Sequence, residues 1–389
     1  MDGQRIVLVA GETSGDNLGA SLIRALRSRR PGLRFEGIAG PQMVAAGCTA
    51  WASAERLSVM GLFEVVRHLP ELIALRRRTA ARALAAAPAA FVGIDAPEFN
   101  LSIAARLKRR GVPTVQYVSP QVWAWRQGRV ARMARTLDLV LCLLPFEKRF
   151  YEGVGLNAEF VGHPLADRLP LEPDRAAARA ALALPTAATV VAILPGSRQA
   201  EVERLAPDFI GAARWLDARR PGVRFVAPMA NESARALFTA ALEQCGEGIA
   251  VLLTEGAADR ALAACDCALV ASGTATLEAL LCKRPMVVAY RVGAATAALV
   301  RLLGLVKTPY FAQPNLLAGR LAVPELFQAQ VTPERLGQEL LSWLDDPARV
   351  ARLAAEFRSI HESLRRGASE RAAEAILALI EAQPPGSRG

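Results

Sequence analysis

The 389-residue sequence has few aromatic residues, 6% of the chain, and of its two longest stretches without a charge, 37–54 is broken by Gly37, Gly40, Pro41 and Gly47, and 180–197 by Pro185, Pro195 and Gly196. A transmembrane helix is thereby excluded. The six cysteines, at 48, 142, 245, 265, 267 and 282, form no CxxC pair. That leaves neither zinc-finger spacing nor a disulfide framework, and the thiols read as small core residues. A dinucleotide fingerprint is also missing, because the first glycines, Gly11, Gly15 and Gly19, are not spaced GxGxxG, and no acidic residue follows in the required arrangement. No GxxxxGK[ST] occurs, which excludes a P-loop NTPase. No basic-then-apolar leader precedes the first strand at Arg5, so a cytoplasmic protein is expected. Short-period repeats are absent too.

Hydrophobic residues make up 52% of the chain, enough for two domains of roughly 150 to 200 residues. The formal charge of +10 asks for an anionic partner: nucleic acid, a phospholipid surface or a phosphorylated substrate. The arginines are scattered over many helices without an aromatic stacking platform, which disfavours nucleic acid.

Short apolar runs alternate with amphipathic segments, the pattern of parallel sheets covered by helices. Strands are expected over 5–10, 34–39, 90–94, 114–118, 137–142 and 158–161, then over 189–194, 224–227, 249–253, 267–271 and 286–289. Between the two sets, around 169–185, three prolines and a charged helix interrupt the pattern. The fold class expected is therefore α/β with two doubly wound halves: an N-terminal domain over 1–170, a second over 171–360, and a helical tail over 361–389 with a frayed end.

Chemistry is expected where strands run into helices. In LVASGTATLEALL, Ser272, Gly273, Thr274, Ala275 and Thr276 would offer amides and hydroxyls to a diphosphate, and Glu278 would accept from a ribose. An ordinary capped helix would carry the same residues. In LPGSRQAEVERL, Gly196, Ser197 and Arg198 follow a strand, where open α/β sheets bind ligands, and Glu201 would brace the arginine. A surface arginine after a turn is the alternative.

The first half offers GETSGD, with Glu12, Ser14, Gly15 and Asp16, and VGIDAPEFN, with Asp95 past a buried strand. Asp95 there is either a solvated or capping carboxylate or a general base. His163 in VGHPLAD is the competing base, or a residue that orients its loop. In YVSPQVWAWRQGRVARMAR, Trp125 and Arg126 precede Arg129, Arg132 and Arg135, an arginine stripe able to hold phosphates or lipid headgroups, although a solvated basic helix explains the later arginines as well. Finally, Leu62, Phe63, Val65, Val66, Leu69, Leu72 and Ile73, followed by Arg76, Arg77 and Arg78, would suit a membrane interface or plain core packing.

Taken in order, GETSGD, VGIDAP, VSPQVWAWR, LPFEK, GHPLAD, LPGSR, SGTATLE and PNLLAGR resemble the lipid-A-disaccharide synthase family, glycosyltransferases of lipopolysaccharide biosynthesis. The resemblance spans Ile6 to about Arg366. It implies a GT-B fold, with two facing Rossmann-like domains and the active site in the cleft between them. The C-terminal domain would hold the sugar nucleotide, and neither metal nor cofactor would be required. It implies transfer from UDP-2,3-diacylglucosamine to 2,3-diacylglucosamine 1-phosphate, with inversion, giving a β-1,6-linked tetraacyl disaccharide 1-phosphate and UDP.

By the same resemblance, Asp95 would be the base, with Glu12, Asp16 and His163 also in matching motif positions, and Arg198 would assist the departing diphosphate. Tyr310 and Asn315 would lie near the nucleotide, and the last helix would return to the N-terminal domain or to a partner subunit. The expected partners are the two acylated sugars and the inner leaflet of the cytoplasmic membrane, held peripherally, with no nucleic acid and with a homodimer left open. Another UDP-sugar enzyme such as an epimerase is the runner-up, ahead of a basic nucleic-acid binder.

Overall fold

The RIVLVA segment, Arg5–Ala10 (β1), is buried at every position after Arg5 and Ile6 onward faces no water, as a strand covered on both faces must be. It is the first strand of a computed structural model that describes residues 3–57, 62–120, 128–293 and 310–382. The chain divides into two units, residues 1–167 with 364–389 and residues 168–363.

The first unit holds a seven-stranded sheet in the order β3-β2-β1-β4-β5-β6-β7. Its other strands are Arg34–Ala39 (β2), Cys48–Ser53 (β3), Ala90–Ile94 (β4), Thr114–Tyr117 (β5), Leu139–Cys142 (β6) and Asn157–Phe160 (β7). All recorded pairings in it are parallel. Strand periodicity sorts the core: Ile6, Leu8 and Ala10 enter one cluster, and Val7 and Val9 enter the cluster on the opposite face.

The first of these clusters also contains Leu22, Ile23 and Leu26 of the helix Thr13–Arg29 and Ala372, Ala373, Ile376 and Ile380 of the helix Ala368–Glu381. The last helix of the chain thus completes the first unit. Arg29 pairs with Glu370 at 3.1 Å and with Glu374 at 2.8 Å across these two helices. Both pairs are solvent-exposed and steer the docking more than they stabilise it.

The second unit holds a six-stranded sheet in the order β10-β9-β8-β11-β12-β13. Its strands are Val190–Leu194 (β8), Arg224–Met229 (β9), Val251–Glu255 (β10), Cys267–Ala271 (β11), Met286–Tyr290 (β12) and Glu325–Phe327 (β13). These are again parallel. Each unit is therefore doubly wound, with its order reversing between β1 and β4 in one and between β8 and β11 in the other.

Two strands, β3 and β13, lie outside the sequence expectation, and both are at sheet edges. Thr49 and Ala50 of β3 are exposed, and β13 is three residues long. Half wet in one case and brief in the other, these two carry no continuous apolar run to read. Among the described residues no helix is long and apolar enough to cross a membrane.

Candidate functional site

In the second unit, β8 and β11 are neighbours at the reversal, and each runs into a helix at its carboxyl end. The helix after β8, Gln199–Asp217, begins at Arg198, and the helix after β11, Thr274–Leu281, begins at Gly273; neither start receives a side-chain cap. Three other helices of the unit do receive one, where Asp174, Asn231 and Thr332 accept from Ala177, Ala234 and Arg335, while the helices Ala258–Ala264 and Gln313–Ala318 do not. Open helix starts at a reversal point leave amides and dipoles for an anion.

Around the first of these starts, Gly196 has φ +117°, and a Cβ on it would lie 2.6 Å from Glu201 Oε2. Only glycine fits both demands. The Arg198 guanidinium sits 3.5 Å from Glu201 and is 56% exposed, braced on one side and reachable on the other. Ser197 is exposed, and its carbonyl accepts from Asn231 Nδ2 at 3.2 Å.

At the second start, Gly273 and Thr274 are exposed, Ser272 and Ala275 half-buried, and a Cβ at Gly273 would meet nothing within 4 Å. The Ser272 amide donates to Ala289 at 3.0 Å, which ties the loop to β12. Thr276 is buried, and its hydroxyl donates to Gly273 O at 2.7 Å, so it shapes the turn. Glu278, one turn in, faces Arg168 at 4.0 Å, too long for a hydrogen bond. Burial raises its pKa, and Arg168 pulls against that.

In the first unit the reversal lies between β1 and β4, where Ala10 pairs with Ile94. The residues just beyond them touch: a Cβ on Gly11 would come within 2.6 Å of Ala96 Cβ. Asp95 and Ala96 both have positive φ, 53° and 39°, before the helix Pro97–Lys108. Two successive non-glycine residues in the left-handed region store roughly 1–3 kcal/mol each, a strain that concentrates at functional sites.

Neighbours hold that turn. The Asp95 carbonyl accepts from Asn100 Nδ2 at 2.8 Å and Gln116 Nε2 at 2.9 Å, and its amide donates to Tyr117 O at 3.0 Å. The backbone is fixed without use of the carboxylate in these bonds. Beside it, Glu12 begins the helix Thr13–Arg29 without capping it, and Ser14 is exposed.

The spacing of Gly11, Gly15 and Gly19 serves packing at two of its positions. A Cβ at Gly19 would lie 2.5 Å from Met43 Sδ, whereas one at Gly15 would make ordinary contacts with Ala10 and Ile94. The glycines let the helix and the strand-end loops approach one another closely.

A family profile described as Lipid-A-disaccharide synthetase matches residues 6–379 of this chain. The chain belongs to this family. It is similar to the lipid-A-disaccharide synthase of Pseudomonas aeruginosa strain UCBPP-PA14, with 51% identity over 98% of this chain and 99% of that protein. In fold it is similar to UDP-GlcNAc 2-epimerase from Neisseria meningitidis, with a TM-score of 0.66 at 12% identity over 96% of this chain and 100% of that one. It is also similar to the calicheamicin glycosyltransferase CalG4, with a TM-score of 0.59 at 16% identity over 99% of this chain and 100% of that one. The fold is the two-Rossmann GT-B type.

Several of the family's motif residues hold this fold together. Asp16 is buried, and its carboxylate accepts from the amides of Gly40, Gln42 and Met43 at 3.0, 2.8 and 2.9 Å. Its oxygens fix the short helix Pro41–Ala45. Asn315 is fully buried: its Nδ2 donates to Val323 O and Glu325 Oε1, and its Oδ1 accepts from Ala322 and Val323. That side chain has no capacity left for a nucleotide. Tyr310, half-buried, adjoins the same knot, where the Phe311 and Ala312 amides donate to Glu325.

GHPLAD clasps the last helix within the first unit. Gly162 approaches Leu364 O so closely that a Cβ would sit 2.7 Å from it, the His163 amide donates to Leu364 O at 2.9 Å, and Asp167 accepts from Gly367 and Ala368. His163 Nδ1 accepts from the Leu165 amide at 3.2 Å, so the hydrogen of the neutral ring sits on Nε2. A ring so occupied donates through Nε2 and is a poor proton acceptor near neutral pH.

Burial lowers the His163 pKa from 6.5 to about 4. The unfolded chain therefore binds the extra proton first, and stability is expected to fall as pH drops from about 6.5 towards 4, by on the order of 3 kcal/mol. Calorimetric melting at pH 7 and pH 5 checks this. The wild type should lose more melting temperature on acidification than His163→Gln, and equal losses would contradict the assignment.

Trp125 and Arg126 lie outside the described residues. Leu62, Phe63, Val65 and Val66 belong to the helix Leu62–Ala86, but their side chains also lie outside the description. Further along that helix, Leu69 is exposed and Leu72 and Ile73 are half-buried, while Ala80 and Ala83 enter the core.

Proposed function

We propose that the protein transfers 2,3-diacylglucosamine from its UDP donor to O6 of 2,3-diacylglucosamine 1-phosphate in one inverting displacement. The observation that carries this reading is the pair of uncapped helix starts at the β8 and β11 ends, with Arg198 beside them. The Asp95 carboxylate takes the proton of the acceptor hydroxyl as its oxygen attacks the anomeric carbon. The bond from that carbon to the diphosphate breaks, and the electron pair leaves on the phosphate oxygen. Arg198 and the amides of Thr274 and Ala275 receive that charge. Glu278, whose partner Arg168 stands 4.0 Å away, accepts from the ribose. No step in this scheme calls on a metal or cofactor.

An epimerase has the same fold, but the fold by itself selects no reaction. The deciding assay incubates purified protein with the acylated UDP-sugar and the acylated sugar 1-phosphate. UDP and a β-linked disaccharide must appear in equal amounts; release of UDP alone, or an α-linked product, would reject the reading.

We also assign the first half of the helix Leu62–Ala86 to the cytoplasmic leaflet surface, from which both acylated substrates must be drawn. Leu69 is 47% exposed on it, and Arg77 and Arg78, more than two turns further along the same helix, are exposed as well. A helix that exposes both apolar area and arginines binds anionic lipid by area and charge together. Leu69→Ser with Leu72→Ser is expected to move protein from sedimenting phosphatidylglycerol vesicles to the supernatant; continued sedimentation would remove this surface.

A further inference from the structure

A cavity of about 390 Å³ in the first unit is lined by Glu98, Gly128, Arg129 and Arg132. Its size falls at the small end of ligand pockets, roughly 300–1,000 Å³. Two helices build it: Glu98 stands in the first turn of Pro97–Lys108, and Arg129 and Arg132 share one face of Arg129–Thr136 at i, i+3 spacing.

The charges do not balance. Glu98 pairs with Arg129, which leaves two guanidinium groups against one lining carboxylate. The pair is also asymmetric, since the Arg129 side chain is 18% exposed and that of Glu98 is 68% exposed. Glu98 thus stands largely in water and Arg129 largely out of it. Burial first, and the Arg132 charge second, hold the Arg129 pKa below its ordinary value, a penalty that a bound anion would relieve.

Position narrows the choice of anion. Glu98 follows Asp95 by three residues, so their Cα atoms lie within about 11 Å of each other whatever the turn between them. One sugar ring with the phosphate it carries can bridge such a span. An acceptor whose O6 hydroxyl meets Asp95 carries its C1 substituent across the ring oxygen from C5, on the same half of the ring, so its phosphate stays near Asp95 and the neighbouring Glu98.

We propose that this cavity receives the phosphate monoester of the acceptor sugar, with Arg129 and Arg132 as its ligands. The proposal rests on the transferase reading above and adds to it the feature that selects a phosphorylated acceptor. A monoester carries about −1.5 to −2 charges at neutral pH and matches the guanidinium fork. It would displace Glu98 from Arg129 and offset both arginines. A phospholipid headgroup offers related chemistry and is separated from the acceptor by the test.

The test compares full-length wild type, Arg132→Ala and Arg132→Lys in detergent micelles, using the 1-phosphate acceptor and its 1-hydroxyl analogue. Arg132→Ala is expected to raise KM for the phosphorylated acceptor about tenfold or more, and to leave KM for the analogue and for the donor within about twofold. Arg132→Lys should recover part of the loss. Inorganic phosphate should compete with the phosphorylated acceptor in the wild type and do so more weakly in Arg132→Ala.

An unchanged preference for phosphate in Arg132→Ala overturns the proposal. So does a variant that keeps this preference but no longer binds phosphatidylglycerol vesicles, which would make the cavity a headgroup site. A wild type that forms no disaccharide overturns the transferase reading and this proposal with it, a result distinct from an active enzyme indifferent to Arg132.

Discussion

Asp95→Asn is expected to lower turnover by about a hundredfold or more while the fold and the affinity for UDP stay as they were, the signature of a lost general base. Asparagine has nearly the same shape and tolerates the left-handed backbone that residue 95 adopts at φ 53°. The bonds described for the turn use the residue's amide and carbonyl, which the substitution keeps. Initial rates of UDP release, set against calorimetric titration with UDP, separate the two effects. Retained turnover would move the role to Glu12 on the adjoining loop, because His163 and Asp16 are occupied by backbone amides.

Arg198→Ala is expected to weaken both UDP affinity and turnover, each by about tenfold to a hundredfold, since a hydrogen bond to a charged group contributes about 1.5–3 kcal/mol. The guanidinium interacts with the leaving group before and after the bond breaks, so ground state and transition state both lose. Arg198→Lys restores the charge without the planar fork and should recover only part. Glu201→Ala releases the brace at 3.5 Å and should have a smaller effect of the same kind. The measurements are the UDP dissociation constant and kcat/KM, and unchanged values for Arg198→Ala would take this residue out of the site.

Interior strands were legible because burial on both faces demands an unbroken apolar run, as in VVAIL of β8. Of the four edge strands, β7 and β10 were legible as well, whereas β3 was not, since CTAWAS keeps no such run. The same limit governs the motif residues. A sequence shows that GETSGD carries carboxylates at a strand end, but which amides a carboxylate meets depends on a chain segment folded against it from elsewhere. Asp16 finds Gly40, Gln42 and Met43, 24 to 27 residues on. Asn315 finds the turn at 322–325. Serine and threonine around Gly273 suggested an ordinary cap as readily as a phosphate site, and the geometry removes the first of these, since no side chain caps that helix.

The clasp formed by GHPLAD has a bearing on how the polypeptide is made. The second unit is one unbroken segment, residues 168–363, whereas the first must wait for residues 364–389. During synthesis the later segment can finish its core while the earlier one still presents an uncovered flank of Leu22, Ile23 and Leu26. The usual amino-to-carboxyl order of completion is thereby inverted. A message cut short near codon 363 would yield a nascent product with a sound second half and a sticky first half, a natural substrate for chaperones and proteases.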